Sequence, residues 1–176
     1  MATPALSADP LHIVVMGVAG CGKSLVGAQL AARLGLPLVE ADDFHPPTDI
    51  EKARHGEPLT EADRSAWLQR LAEELAAQPE GAVLTCLALK RAWRDQLRAA
   101  VPQLHVLHLS MTPHQVLERV ASRTDHFYPP SLVASQFEAL EDPAGEPLVH
   151  VVDGTLHIDR IVESAARWLR PTFSNA

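Results

Sequence analysis

Cysteine is almost missing. The chain of 176 residues has two, Cys21 and Cys86. Two thiols cannot build the disulfide framework of a small secreted domain, so a reducing, cytoplasmic setting is expected. Aromatic side chains are also scarce, at 5% of the chain, which leaves few platforms for stacking nucleobases. Positive charge is in the minority: 15 Lys and Arg face 22 Asp and Glu, a net charge of −7. Such a chain lacks the basic face that neutralises a phosphate backbone, which argues against nucleic acid as a partner and leaves room for one small anion in a local basic pocket. No apolar run approaches the roughly 18–20 residues of a bilayer span, so no membrane association is expected. Residues 1–10 lack a basic start followed by an apolar stretch and read as a loose tail rather than a secretory signal. Residues 171–176 read as a second tail.

What is present is ordinary globular material, 47% apolar. That is enough for one domain over residues 11–170 to be stable without a metal or disulfide staple. Short apolar runs at 11–16, 37–41, 82–87, 103–109 and 148–152 read as strands. Amphipathic stretches between them read as helices: 24–34, a short one near 50–55, one behind the N-cap Thr60, 90–100, one opened by Thr112-Pro113-His114-Gln115, one near 132–140, and a last one carrying Ile158, Ile161, Val162, Ala165 and Leu169. The alternation predicts a five-stranded parallel sheet flanked by helices on both faces. In such sheets ligands sit beyond the C-terminal strand ends. The chemistry is therefore expected after Met16, Ala41, Leu87, Leu109 and Val152.

Directly after the first strand stands Gly17-Val18-Ala19-Gly20-Cys21-Gly22-Lys23-Ser24. A glycine, four residues, then Gly-Lys-Ser matches the phosphate-binding P-loop. The glycines let backbone N–H groups converge on an anion, and the helix beginning near Lys23 adds the positive end of its dipole. Gly17 to Gly22, Lys23, Ser24 and Leu25 (with Val18, Ala19, Gly20 and Cys21 between) are thus the expected nucleotide-binding residues. Lys23 aims a point charge at the β- and γ-phosphates, and the Ser24 hydroxyl is a ligand for Mg²⁺. The chain has no Asn-Lys-x-Asp guanine signature, and no strand ends in a lone metal-binding Asp. Glu40 and Asp42 instead bracket the end of the second strand, which favours a compact kinase of a small metabolite.

From Asp42-Asp43-Phe44-His45-Pro46 onward the sequence resembles the gluconokinase family. The likeness runs through Ile50-Glu51-Lys52, Gly56-Glu57-Pro58-Leu59, Asp63-Arg64 and Trp67-Leu68. It continues at Cys86, Ala88-Leu89-Lys90-Arg91 and Arg94-Asp95-x-Leu97-Arg98. It returns at Arg119, Arg123, His126-Phe127, Ser135-Gln136-Phe137 and Leu140-Glu141-x-Pro143. Order and spacing hold over residues 13–169. The resemblance implies a fold related to shikimate and nucleoside monophosphate kinases, with a mobile lid at about 123–146. It also implies ATP with Mg²⁺, gluconate as acceptor, and commonly a homodimer. The chain departs from the family pattern at Glu40, Ala41, Asp49, Ala53, Ala66, Leu87 and Asp125. Leu87 and Asp49 keep another small hydroxylated acid open as acceptor. A catalytically silent nucleotide-binding regulator is the remaining alternative.

The candidate chemistry follows. Asp42 can accept a hydrogen bond from the sugar hydroxyl and orient it for in-line attack. Its bland reading is a turn carboxylate. Glu40 is a candidate for holding Mg²⁺ through water, His45 for bonding the polyol chain, and Lys90 or Arg64 for pairing with the acceptor carboxylate. The competing reading for Arg64 is a salt bridge to Asp63 or Glu61, and for Arg98 a pair with Asp95. Arg119 and Arg123, four apart on the helix entering the lid, are candidates for stabilising charge on the transferring phosphoryl group. Their bland reading is complementing a helix dipole. Cys21 and Cys86 are either small buried residues or a redox-sensitive pair.

Overall fold

A computed structural model describes residues 10–122 and 130–173. Arg123, His126 and Phe127, and with them the front of the expected lid, lie outside the described residues.

Five strands, β1 (Leu11–Met16), β2 (Leu38–Glu40), β3 (Gly81–Cys86), β4 (His105–Ser110) and β5 (Val149–Asp153), form one sheet in the order β2-β3-β1-β4-β5. All four pairings are parallel. Parallel neighbours require crossovers, and among the described residues seven helices run between and beside the strands. These are α1 (Lys23–Leu34), α2 (Pro47–Arg54), α3 (Glu61–Ala76), α4 (Arg91–Ala100), α5 (Pro113–Ala121), α6 (Pro130–Ala139) and α7 (Ile158–Phe173). A 3₁₀ turn, Ala41–Phe44, follows β2.

Period-two alternation divides the core. Ile13 and Val15 of β1, with Val83 and Leu107, pack against Val26 and Leu30 of α1, Val116 of α5 and Ile161 and Ala165 of α7. The intervening Val14 and Met16, with Leu84 and Val106, pack against Trp67, Leu68, Leu71 and Leu75 of α3 and Leu97 of α4. β1 and β3 are buried along their whole length, as central strands covered on both faces must be.

Element boundaries follow the side chains that end them. α5 opens with the expected two-way capping box of Thr112 and Gln115, and α3 opens on the expected N-cap Thr60, to which Asp63 adds the second half of a box. α1 closes on Gly35, whose left-handed φ of 67° returns N–H bonds to Ala31 and Ala32. Lys90 becomes the N-cap of α4 rather than its first residue. α7 runs on to Phe173, so the expected tail from Pro171 is corrected: its first three residues continue the last helix.

The register brings the strand ends into one rim. Met16 lies beside Cys86 and His108, Glu40 beside Thr85, and Ser110 beside Asp153. Every loop expected to carry chemistry leaves from that rim.

Candidate active site

The loop after β1 turns on two glycines with left-handed φ, 85° at Gly20 and 94° at Gly22. A Cβ on Gly20 would also come within 2.8 Å of Val120 Cγ2. Gly22 is the N-cap of α1 and offers no side-chain cap to the first-turn N–H groups. Those donors are therefore available to an anion on the axis of the helix dipole. Lys23 Nζ donates to the Val18 carbonyl at 3.1 Å, folded back over its own loop. Cys21 is buried, and burial pushes its thiol up despite the nearby Lys23 charge. Cys86 is buried too and is pushed up to about 11. Both thiols are therefore protonated at neutral pH, which favours the bland reading of the pair.

Next to the loop, one carboxylate oxygen collects two hydroxyls. Ser24 Oγ donates to Glu40 Oε2 at 3.3 Å, and the Thr85 hydroxyl donates to the same oxygen. The sequence reading did not single out Thr85. Two hard oxygen ligands, one neutral and one anionic, suit Mg²⁺, which prefers oxygen and retains waters and phosphate in its shell. Among the described residues no group of three or more His, Cys, Asp or Glu side chains is placed to hold a metal by itself.

Two residues beyond Glu40, the Asp42 carboxylate stands open to solvent, with its side chain 94% exposed. It is aimed by its surroundings. The His45 ring sits 3.6 Å from Asp42 and 3.8 Å from the buried Asp49, and stacks on Trp67 at 4.3 Å between centroids. Trp67 in turn donates its indole N–H to the Ala41 carbonyl at 2.9 Å, pinning the turn that carries Asp42. Lys52 of α2 meets Asp63 of α3 at 2.6 Å. That bond, with those from Thr60, holds the Asp63 carboxyl down at about 2.

The two candidate partners for an acceptor carboxylate are brought together on one indole. The Arg64 guanidinium lies 4.5 Å from the Trp93 ring centroid and Lys90 Nζ lies 5.6 Å from it. Arg64 also pairs with Glu61 at 2.9 Å, which is the salt-bridge reading of this residue. Trp93 was not singled out from the sequence; its spacing on α4 gave no sign of two cations converging on it.

Arg94, given no role of its own from the sequence, is fully buried. It forks onto Glu146, with Nη2 to Oε2 at 2.6 Å and Nε to Oε1 at 3.0 Å, and donates to the carbonyls of Ala88, Leu89 and Glu141. Ala88 carries a φ of +45°, a conformation costly for any residue with a Cβ. Arg94 thus holds a strained loop between β3 and Lys90. Arg98 joins Asp95 and Glu146. Burial alone would raise the Glu146 carboxyl, but the bonds from Arg94 and Arg98 outweigh it and hold it low.

Arg119 donates to Cys21 O and to Gly154 O, both at 3.0 Å. It staples the back of the phosphate loop to the turn after β5. Leu25 is 62% exposed on α1 just past the loop.

A five-stranded parallel sheet in this order, with a glycine-rich anion loop opening its first crossover, defines the P-loop kinase class. A family model described as an AAA domain matches residues 13–147. The chain is 42% identical over 161 residues, 90% of each chain, to a gluconokinase of Gluconobacter oxydans (strain 621H). It superposes on the crystal structure of a gluconokinase from Sinorhizobium meliloti 1021 with a TM-score of 0.86 and 43% identity, covering 94% of this chain and 95% of the other. A shikimate kinase from Aquifex aeolicus aligns with a TM-score of 0.62 at 17% identity and shares the fold. The chain belongs to the gluconokinase family.

Proposed function

We propose that the protein transfers the γ-phosphate of ATP to D-gluconate, giving 6-phospho-D-gluconate and ADP. The observation that carries this reading is the junction of Ser24, Glu40 and Asp42: the phosphate loop's hydroxyl touches Glu40, and Asp42 stands two residues further on. A nucleotide-binding element and an acceptor-orienting carboxylate thereby share one strand end.

In this reading Lys23 leaves the Val18 carbonyl and turns its charge to the β- and γ-phosphates. The loop N–H groups and the start of α1 hold the polyphosphate. Ser24, and Glu40 through water, would hold Mg²⁺, which would supply charge neutralisation. Arg64 and Lys90 take the gluconate carboxylate at one end of the substrate, and His45 bonds its polyol chain. Asp42 accepts the hydrogen bond of the attacking hydroxyl. The new bond joins that oxygen to the γ-phosphorus, the bond to the β-bridging oxygen breaks, and the hydroxyl proton leaves by way of Asp42. Electrostatic stabilisation of the transferring group dominates such reactions, and an arginine aimed at it is worth about 10³–10⁵ in rate. Arg119 and Arg123 are the residues assigned that charge. Arg119 does so from the edge of the loop it already braces. The reading includes a cytoplasmic homodimer.

An ADP-release assay across a panel of sugar acids and shikimate tests it. Turnover with gluconate above all other acceptors is expected. Absence of gluconate turnover by protein that binds ATP would move the acceptor to another hydroxylated acid.

A further inference from the structure

The glutamine of α6 has a contact that the mechanism above does not use. Gln136 Oε1 accepts a hydrogen bond from the backbone N–H of Ala19 at 2.7 Å, across 117 residues of chain. Ala19 is the third residue of the phosphate loop and directly precedes the turn at Gly20. The glutamine is not a dangling side chain. Val133, one turn before it, is buried in the same cluster as Val116 and Val120, and Phe137 packs against that cluster. Val120 in turn abuts the position where Gly20 lacks a Cβ. The helix that carries the amide is therefore seated against the loop that receives it.

A carboxamide has two ends, an oxygen that accepts and a nitrogen that donates twice. Here the oxygen is engaged by Ala19, and among the described residues no group accepts from Nε2. The loop thus gains two additional donors at its rim, carried on a neutral group. We propose that Gln136 is a catalytic residue whose Nε2 donates to the terminal phosphoryl group of ATP, while its oxygen stays on Ala19 N–H. This rests on the kinase reading above and extends it: one amide both shapes the loop and counts the phosphates. A diphosphate leaves those donors idle, and a triphosphate engages them.

Two substitutions separate the ends of the amide. Gln136→Glu keeps an oxygen for Ala19 and replaces the donor with an anionic acceptor. Gln136→Ala removes both. Calorimetry with Mg-ADP and with the non-hydrolysable Mg-AMPPNP provides a reading independent of gluconate, with circular dichroism confirming the fold. ADP affinity should stay within about twofold of the wild type in both variants. AMPPNP affinity should fall about 10- to 100-fold in Gln136→Ala, the usual range for losing a hydrogen bond to a charged group. It should fall further in Gln136→Glu. The value of kcat should drop in parallel, with gluconate KM unchanged. AMPPNP binding as tight as or tighter than the wild type in either variant would overturn the proposal. In Gln136→Ala, tighter binding would mean that the glutamine competes with phosphate for Ala19. In Gln136→Glu, wild-type binding would mean that only the oxygen matters. Failure of the wild-type protein itself to bind either nucleotide would sink the kinase reading together with this one.

Discussion

Asp42 and Lys23 divide the work differently, and single substitutions should reveal it. Asp42 is nearly fully exposed and supports no packing, so Asp42→Asn should leave the melting temperature unchanged. Its loss should lower kcat by about 10²–10⁴, the usual scale for a positioned proton acceptor, with ATP affinity preserved. Lys23→Ala should abolish measurable turnover with an unaltered circular dichroism spectrum, because Lys23 bonds only its own loop. Steady-state kinetics beside nucleotide calorimetry checks both. The positions of these residues were legible in the sequence because they are tied to spacing: a P-loop lysine has a fixed offset from its glycines, and a carboxylate after a parallel strand has a fixed address at the rim. Trp93 and Thr85 were not legible. Thr85 meets Glu40 of β2, and Trp93 joins its near neighbour Lys90 to Arg64 of α3; no local pattern records a meeting between segments.

At the scale of elements, the join between the β3–α4 loop and the segment after α6 matters most. Glu141 N–H bonds Leu89 O at 2.8 Å, and Arg91 N–H bonds Glu141 Oε1 at 3.2 Å. Arg94 ties both segments to Glu146. With side chains 0% and 5% exposed, this pair is buried, and removing one partner strands the other's charge. Arg94→Ala should therefore cost about 3–5 kcal/mol of stability. It should also raise gluconate KM, because Ala88 and Leu89 lose the anchor that positions Lys90. Urea unfolding and acceptor titration measure the two effects separately. The capping box of α5 and the N-cap of α3 could be read from short strings, since their parts lie within one turn. The burial of Arg94 could not. Its i, i+4 neighbours are cationic, and the carboxylate that neutralises it stands 52 residues away.

For the whole molecule, acid should be destabilising in two stages. His105, His108 and His150 are each held below the ordinary histidine range by burial, on β4 and β5. The folded state keeps them neutral, while the unfolded chain takes up protons near pH 6.5. Their contribution to stability is thus complete above that pH and is lost as the pH falls toward their lowered values. Melting temperature should decline from pH 7.5 to 5.5, and His108→Gln should flatten the slope. Glu146 and Asp63, both held low by cationic partners, act later. Their stabilisation persists above about pH 4, the unfolded carboxylate range, and disappears only as the pH falls through their folded values, about 2 for Asp63.

The two cations resting on Trp93 give the protein a built-in optical gauge. An indole's emission shifts when charge beside it moves, and on the proposed assignment a carboxylate arriving at Arg64 and Lys90 would redraw the field across that ring. Occupancy of that proposed acceptor end would then be followed by tryptophan fluorescence without label, nucleotide or turnover. Of the chain's other two tryptophans, Trp67 lies under His45 and Trp168 beside His150, so replacing Trp93 with phenylalanine isolates its share of the signal.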